Sequence, residues 1–449
     1  MLKSIQNILR IPELRKKLLY TFGFLILYRL GRYITLPGVD TTVIDKLIGQ
    51  KGSGDSGLGG MLQFASMITG GALRQCTLFA LGIMPYISAS IIFSLLVKVV
   101  PQLEALQKEG PSGQQKINQY TRYSTVLLCL IQSGFIVAWM RTPLGGQYIV
   151  PPDLSGSFSF WFMTVLALTT GTIFLMWIGE QITEFGIGNG ISLIIMVGII
   201  AEMPGALYNF AQDIAASSLL KPLATLKFMT FIALYIAVTV AVVVMQRGQR
   251  RIPIQQAKHT RGRRVYGGQR HYLPLLVNAA GVMPVIFAQS LIILPSALFS
   301  AIGITILHEY LSRGDGFWYL TVEMAMVIFF TYFWNALTFN PVEMANNMKE
   351  YGSFIPGIRP GKRTADYLEE IMNRITLVGA LFLAALTVFP VIVSSTLEIQ
   401  QNISNFLGGT GILIVVGVAL DVVQKVESHL LMRHYEGFMK TGRIRGRRG

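Results

Sequence analysis

Residues 231–294 read FIALYIAVTVAVVVMQRGQRRIPIQQAKHTRGRRVYGGQRHYLPLLVNAAGVMPVIFAQSLIIL. Two almost purely apolar runs, 231–245 and 273–294, flank residues 247–271, which hold eight Lys or Arg and no Asp or Glu. In a water-soluble protein this basic run would indicate a nucleic-acid patch. Between two apolar runs, it instead predicts a charged loop that joins two membrane helices.

The composition of the whole chain agrees with a membrane protein. The 449 residues are 52% hydrophobic and 14% charged, whereas ordinary soluble domains are about 25% charged. The two cysteines exclude a disulfide framework and a Cys-based zinc site. The five histidines do not form an HExxH-type ligand pair. We therefore expect an integral membrane protein without a metal or another cofactor.

Apolar runs of about 20 residues predict membrane-spanning helices. Ten such runs are present: 18–37, 75–97, 123–141, 158–179, 187–204, 226–246, 273–298, 317–339, 375–395 and 404–424. With both termini in the cytoplasm, 29 of the 38 Lys and Arg lie on the inner side and nine on the outer side. This asymmetry sets the orientation, because positive loops stay in the cytoplasm.

The surplus of positive charge has two interpretations. Orientation alone accounts for several residues in each loop. The eight basic residues of the loop at 246–273 and the terminal RIRGRRG exceed that need, which favours a docking surface on the cytoplasmic side.

Several motifs interrupt the apolar runs. Pro85 lies near the start of LGIMPYISASIIFSLL (81–96), and the preceding MLQFASMITGGALRQ (61–75) predicts a short helix folded back into the protein. Glycine-rich runs at 179–195 and 356–364 resemble phosphate loops, but their spacing is wrong. We interpret these glycines as tight turns at helix ends.

The apolar runs contain few ionisable residues. Arg29, Arg32, Glu323 and Asp421 lie near the ends of spans, where long side chains can reach the interface. A proton relay at the membrane midplane and paired catalytic carboxylates are both missing from the sequence. A solute transporter built on an inverted repeat and a non-conducting insertion scaffold stay as alternatives to a channel, and we expect no enzymatic activity.

Six motifs in order resemble the bacterial SecY family. They are GGALRQCTLFALGIMPYISASIIFSLL, GIGNGISLIIMVGI, QRGQRRIPIQQAKHTRGRRVYGG, LPLLVNAAGVMPVIFAQSLI, FNPVEMANNMKEYGSFIPGIRPGKRT and GGTGILIVVGVALDVV. The resemblance covers essentially the whole chain. It implies an all-α integral membrane fold of ten transmembrane helices. These helices form two inverted five-helix halves, residues 1–205 and 206–449, around an hourglass pore.

The resemblance also implies a protein-conducting channel of the Sec translocon and its functional residues. An aliphatic ring at the waist of the pore corresponds to Ile83, Ile87, Ile191, Ile195, Ile286 and Ile414. A plug at about 61–71 includes Phe64, Met67, Ile68, Gly70 and Gly71. Polar members of a lateral gate, which releases signal and transmembrane helices into lipid, correspond to Ser88, Gln132 and Asn278.

The partners implied by the family dock on the basic loops 246–273 and 340–374. They are the SecA ATPase motor and the translating ribosome, whose RNA would contact these loops, and the residues that correspond to this surface are Arg250, Arg251, Arg263, Arg264 and Arg359. Small SecE-like and SecG-like membrane subunits, signal peptides and preproteins complete the implied set. The implied location is the bacterial plasma (inner) membrane, with both termini in the cytoplasm.

Overall fold

A computed structural model describes most of the chain. The described residues are 11–40, 66, 69–73, 75–141, 149–216, 221–256, 259–261, 264–266, 270–288, 316–397 and 410–441. They form twelve named helices and five strands in two compact units. The first unit comprises residues 1–53, 62–205 and 414–449, and the second comprises 54–61 and 206–413.

Most of the described chain is helical. The helices are α1 (Pro12–Gly31), α2 (Met84–Val99), α3 (Pro101–Lys108), α4 (Pro111–Met140), α5 (Pro152–Ser155), α6 (Phe158–Phe185), α7 (Gly190–Ala216), α8 (Lys221–Arg247), α9 (Phe317–Thr338), α10 (Pro341–Glu350), α11 (Lys362–Leu397) and α12 (Thr410–Thr441). Residues 283–288 are also helical. The prediction of a helical integral membrane protein is confirmed.

The structure contains fewer clear spans than the sequence predicts. Within the described residues, six helices are long and apolar enough to cross a membrane, or seven if the bent pair α2–α3 counts as one span. The remaining three predicted spans fall on α1, on residues 273–288 and on α12, while residues 289–298 and 404–409 of these spans lie outside the described residues. The count of ten therefore stays a prediction.

The second helix starts later than the apolar run predicts. Residues 75–83 form turns, and α2 begins at Met84 with Pro85 in its first turn. Gly82 has a φ of 58°, a left-handed conformation that a helix cannot include and that glycine adopts readily. Proline is favoured in the first turn because it lacks an N–H that would have no partner there. Pro85 therefore starts this helix and does not kink it.

The first unit is built around α6. Helix α4 packs against both α2 and α6, and α1 packs against α6. Val100 is extended before Pro101, as residues before proline prefer, and α3 turns away from α2 by 97°. Residues 34–36 pair with the turns before α2 through the Thr35–Thr77 bridge, so this unit holds those turns by backbone hydrogen bonds.

The second unit contains a small sheet that the sequence analysis did not predict. Strands β1 (Gln249–Gln256), β4 (Arg270–Leu276) and β5 (Ser353–Phe354) form an antiparallel sheet in the order β4-β1-β5. A separate hairpin joins β2 (His259–Arg261) and β3 (Arg264–Tyr266). The seventh predicted span, 273–298, therefore opens with a strand, which shows that its predicted start was several residues too early.

Candidate functional site

The first candidate site is an apolar cluster in the first unit. Ile83 precedes α2, and the buried residues Leu175 and Ile178 of α6 and Leu193 and Ile194 of α7 belong to the same cluster. Partly buried Ile87, Ile191 and Ile195 pack against it. Four of the six residues predicted for the pore ring are therefore neighbours in one apolar cluster.

The described members of this cluster do not include the other two predicted ring residues. Ile414 is 6% exposed and lies on α12 in the first unit. Ile286 is partly buried and lies in the second unit.

The turn at 186–190 presents α7 to this cluster. Asn189 caps α7, because its Oδ1 accepts hydrogen bonds from Ile191 N at 3.1 Å and Ser192 N at 3.3 Å. Asparagine is a preferred N-cap residue for this reason. Thr183 Oγ1 accepts from Gly190 N at 2.9 Å, and Thr21 Oγ1 accepts from Ile187 N at 3.2 Å. The predicted tight turn is confirmed, and side chains of α1 and α6 bind its backbone.

The described part of the predicted plug lies against α1 and α7. A Cβ on Gly70 would be 2.8 Å from the Gly198 Cα, and the hydroxyl of Tyr28 donates to Thr69 O at 3.5 Å. Gly70 and Gly71 have φ values of 62° and 79°. Phe64, Met67 and Ile68 lie outside the described residues.

An ion pair that the sequence analysis missed lies beside this segment. Arg32 Nη1 is 2.7 Å from Glu202 Oε1, and their side chains are only 17% and 23% exposed. Arg32 was expected to reach the membrane interface, but the structure pairs it inside the unit. In the sequence, Arg32 and Glu202 each interrupt a weakly apolar run. Their opposite charges were the one feature of the sequence that indicated an ion pair.

The predicted gate residues are partly buried. Ser88 lies on α2 and Gln132 on α4, which pack together in the first unit. Asn278 follows β4 in the second unit, and its Oδ1 is buried without a hydrogen-bond partner in the described part of the chain.

The two basic loops, 246–273 and 340–374, are joined by strand pairing in the second unit. Gln255 of β1 pairs with Phe354 of β5, which joins the loop at 246–273 to the loop at 340–374. A buried cluster fixes this sheet on α11; its members are Ile252, Leu275, Ile355, Leu368, Ile371, Met372 and Ile375. We call this body the basic platform: β1, β4, β5 and the start of α11.

The predicted docking arginines fall on and around the basic platform. Arg250, Arg251 and Arg359 are exposed, and they form no ion pair with another residue of the described ranges. Arg264 belongs to β3, and Arg263 lies outside the described residues. Among the described residues, these three exposed arginines therefore have no direct counterion.

Comparison with known proteins gives a consistent family. The family model described as SecY matches residues 77–423. The protein described as "Protein translocase subunit SecY" from Streptomyces scabiei is 43% identical over 453 residues, which is 98% of this chain and all of the relative.

Two solved structures are similar in fold. The one described as "The structure of a protein conducting channel" has a TM-score of 0.61 at 20% identity and covers 93% of each chain. The one described as "Sec61 in the Canine ribosome-channel complex from the endoplasmic reticulum" has a TM-score of 0.58 at 19% identity, again over 93% of each chain.

Proposed function

This chain belongs to the SecY family, and from that premise we propose that it is the protein-conducting subunit of a protein translocase in a bacterial plasma membrane. It passes unfolded secretory chains across the membrane and releases apolar helices sideways into lipid. The full-length likeness to a translocase subunit supports this function. The fold shared with a protein-conducting channel agrees with it.

The apolar cluster of the first unit is the observation that carries the proposal. Four residues of the proposed ring, Ile83, Ile87, Ile191 and Ile195, lie in this cluster with buried side chains of α6 and α7. A constriction lined by aliphatic side chains excludes ions because water leaves it. Such side chains can also close around a passing polypeptide, since they impose no hydrogen-bond geometry. The proposed ring consists of Ile83, Ile87, Ile191, Ile195, Ile286 and Ile414.

The seal and the gate complete the proposed channel. Residues 61–71 act as the plug that closes the resting pore. Ser88, Gln132 and Asn278 contribute polar contacts to the lateral gate, each worth about 1 kcal/mol in a membrane. Asn278 Oδ1 is buried and accepts no hydrogen bond within the described ranges, which supports a group that exchanges partners. Contacts this weak allow an apolar signal helix to open the seam.

The energy for transport comes from partners, because the proposed role is a passive conduit without a catalytic site or a cofactor. The basic platform is the proposed docking surface for a SecA motor or a translating ribosome. Ribosomal RNA would bind exposed Arg250, Arg251 and Arg359 through counterion release, which makes the affinity sensitive to salt. Small SecE-like and SecG-like subunits accompany the channel, and both termini lie in the cytoplasm.

The substitution Ile414→Asn tests the channel. An amide in the proposed ring retains water, so we expect resting ion conductance in planar bilayers to rise about tenfold, which corresponds to about 1.4 kcal/mol. Val423→Asn on the same helix is the matched control, because Val423 is 43% exposed. It should leave the conductance unchanged.

A second measurement on the same samples tests transport itself. Proteoliposomes that contain the wild-type chain and its membrane partners should import a secretory preprotein when a motor ATPase is supplied. A wild-type chain that imports no preprotein contradicts the proposed function. Equal conductance in Ile414→Asn and wild type contradicts only the ring assignment.

A further inference from the structure

The ion pair of Arg32 and Glu202 joins distant parts of the first unit. Arg32 follows the last residue of α1, and Glu202 lies on α7 just before Pro204. The distance between Arg32 Nη1 and Glu202 Oε1 is 2.7 Å, and about four fifths of each side chain is shielded from solvent. Charges shielded in this way stabilise a structure only while both are present, because removing one leaves the other without its counterion.

Both charged side chains also contact the segment that leads from the proposed plug to α2. Arg32 Nε donates a hydrogen bond to Gln75 Oε1 at 3.3 Å. A Cβ on Gly71 would overlap the Glu202 carboxylate and lie 2.5 Å from Arg32 Nη2. The backbone of Gly71 therefore lies directly on the ion pair, and its φ of 79° suits glycine.

Neighbouring contacts hold the same segment on the same two helices. Gly70 approaches Gly198 of α7, and Tyr28 of α1 bonds Thr69 O. The described residues of this segment, 69–73 and Gln75, therefore pack against the end of α1, α7 and the ion pair between them.

We propose that Arg32 and Glu202 form a charged clamp that positions residues 69–75 in the closed state of the channel. The clamp rests on the proposed function and adds two positioning residues to it. The hydrogen bond from Arg32 Nε to Gln75 Oε1 and the packing of both charged groups on Gly71 exist only while the segment is in place, so its departure removes these contacts. The ion pair therefore favours the closed state specifically.

A labelling experiment tests the clamp on the full-length chain in proteoliposomes. The reporter is Ala72→Cys, because Ala72 is 2% exposed and lies between the clamp contacts at Gly71 and Gln75. The native thiol of Cys129 on α4 is 0% exposed and serves as an internal reference for loosening of the whole unit. A maleimide reagent is added, and mass spectrometry measures the labelling rate of each thiol.

The substitution Glu202→Gln should increase the labelling rate of the Ala72→Cys thiol about tenfold and leave that of Cys129 unchanged. The matched control is Glu180→Gln. It breaks a second ion pair of this unit, between Arg122 Nε of α4 and Glu180 Oε1 of α6 at 2.7 Å. The described contacts that hold residues 69–73 and Gln75 involve neither Arg122 nor Glu180, so the control should label at the wild-type rate.

The charge exchange Arg32→Glu with Glu202→Arg separates a clamp from a general loss of stability. The exchanged pair can still attract, and the amide of Gln75 can donate to a carboxylate at position 32. We expect slow labelling of the Ala72→Cys thiol to return.

Three results would overturn the clamp: an unchanged rate in Glu202→Gln, an equal increase at Cys129, or no recovery in the exchanged pair. Preprotein import by the same proteoliposomes is scored separately. Failure of wild-type import would contradict the proposed channel, whereas a failed labelling prediction with normal import would contradict the clamp alone.

Discussion

Two basic regions of this protein use arginine in opposite ways. In the first unit, Arg32 is 17% exposed, pairs with Glu202 and contacts the backbone of its own chain. In the second unit, Arg250, Arg251 and Arg359 are exposed on the basic platform, without a counterion in the part of the chain that the structure describes. The enclosed charge stabilises one conformation, whereas the exposed charges create a field that a partner can meet.

The packing that holds these charged residues in place also differs between the two units. The clamp rests on glycine backbone packed against helix backbone, where Gly70 meets Gly198. The basic platform rests on a cluster of buried side chains around Ile252 and Leu368. Damage to the first support should therefore change the conformation of the channel, and damage to the second should change the rigidity of the docking surface.

The largest expected effect comes from Gly70→Val in the first unit. Valine is strained at a φ of 62°, and its Cβ would lie 2.8 Å from the Gly198 Cα. Backbone strain and overpacking together should destabilise the closed state by about 4 kcal/mol. The measurement is resting ion conductance in planar bilayers, which should rise strongly.

Gly134→Val is the control for that substitution. A Cβ on Gly134 of α4 meets nothing within 4 Å, so conductance should not change. Unchanged resting ion conductance in Gly70→Val would mean that the closed state does not need the close contact between the segment before α2 and α7.

The next largest effect is expected from Ile252→Ala in the second unit. Ile252 is 2% exposed beneath the sheet, and removal of a buried isoleucine side chain costs about 3 kcal/mol. Hydrogen exchange of the β1 amides should accelerate, because local opening becomes easier. Resting ion conductance should stay at the wild-type value.

Tyr272→Ala on β4 provides the comparison for Ile252→Ala, since Tyr272 is 62% exposed. It should change exchange in β1 only slightly. Equal protection of β1 in Ile252→Ala and wild type would show that the cluster on α11 does not hold the sheet.

The smallest effect in free energy is expected from Arg359→Glu. The side chain is exposed, so folding stability should change by less than about 0.5 kcal/mol. Motor-driven or ribosome-driven preprotein transport should fall about tenfold, which corresponds to about 1.4 kcal/mol. Hydrogen exchange of β1 should be unchanged.

Arg363 is another exposed arginine, at the start of α11. The substitution Arg363→Glu therefore tests whether charge reversal impairs transport only at residue 359. A weaker defect in Arg363→Glu supports a specific contact at Arg359. Full transport by Arg359→Glu would contradict docking at this residue.

Much of the helical fold could be predicted from apolar runs. The run at 158–179 matches the start of α6 at Phe158, and the run at 317–339 matches α9 (Phe317–Thr338). Hydropathy locates such helices because a membrane helix must satisfy its own backbone hydrogen bonds. Hydropathy failed at the start of α2, where the backbone preferences of Gly82 and Pro85 decided the boundary.

The basic platform was harder to predict. A loop rich in Arg, Gln and Pro only weakly predicts a strand, and β1 and β4 both contain proline. The strands exist because Ile252 and Leu275 are buried on α11 and because β5 pairs from a distant loop. Pairing across about a hundred residues is a tertiary contact that local propensity does not encode.

The sequence by itself determined a helical membrane protein, the cluster of positive charge and, through its motifs, the family. These follow from composition and local pattern, because apolar surface partitions into the bilayer wherever it occurs along the chain. Only the tertiary structure decided that Arg32 meets Glu202 on the backbone of Gly71. It also decided that two basic loops share one sheet. Such contacts depend on distances between remote segments, and these distances are fixed only when the helices pack.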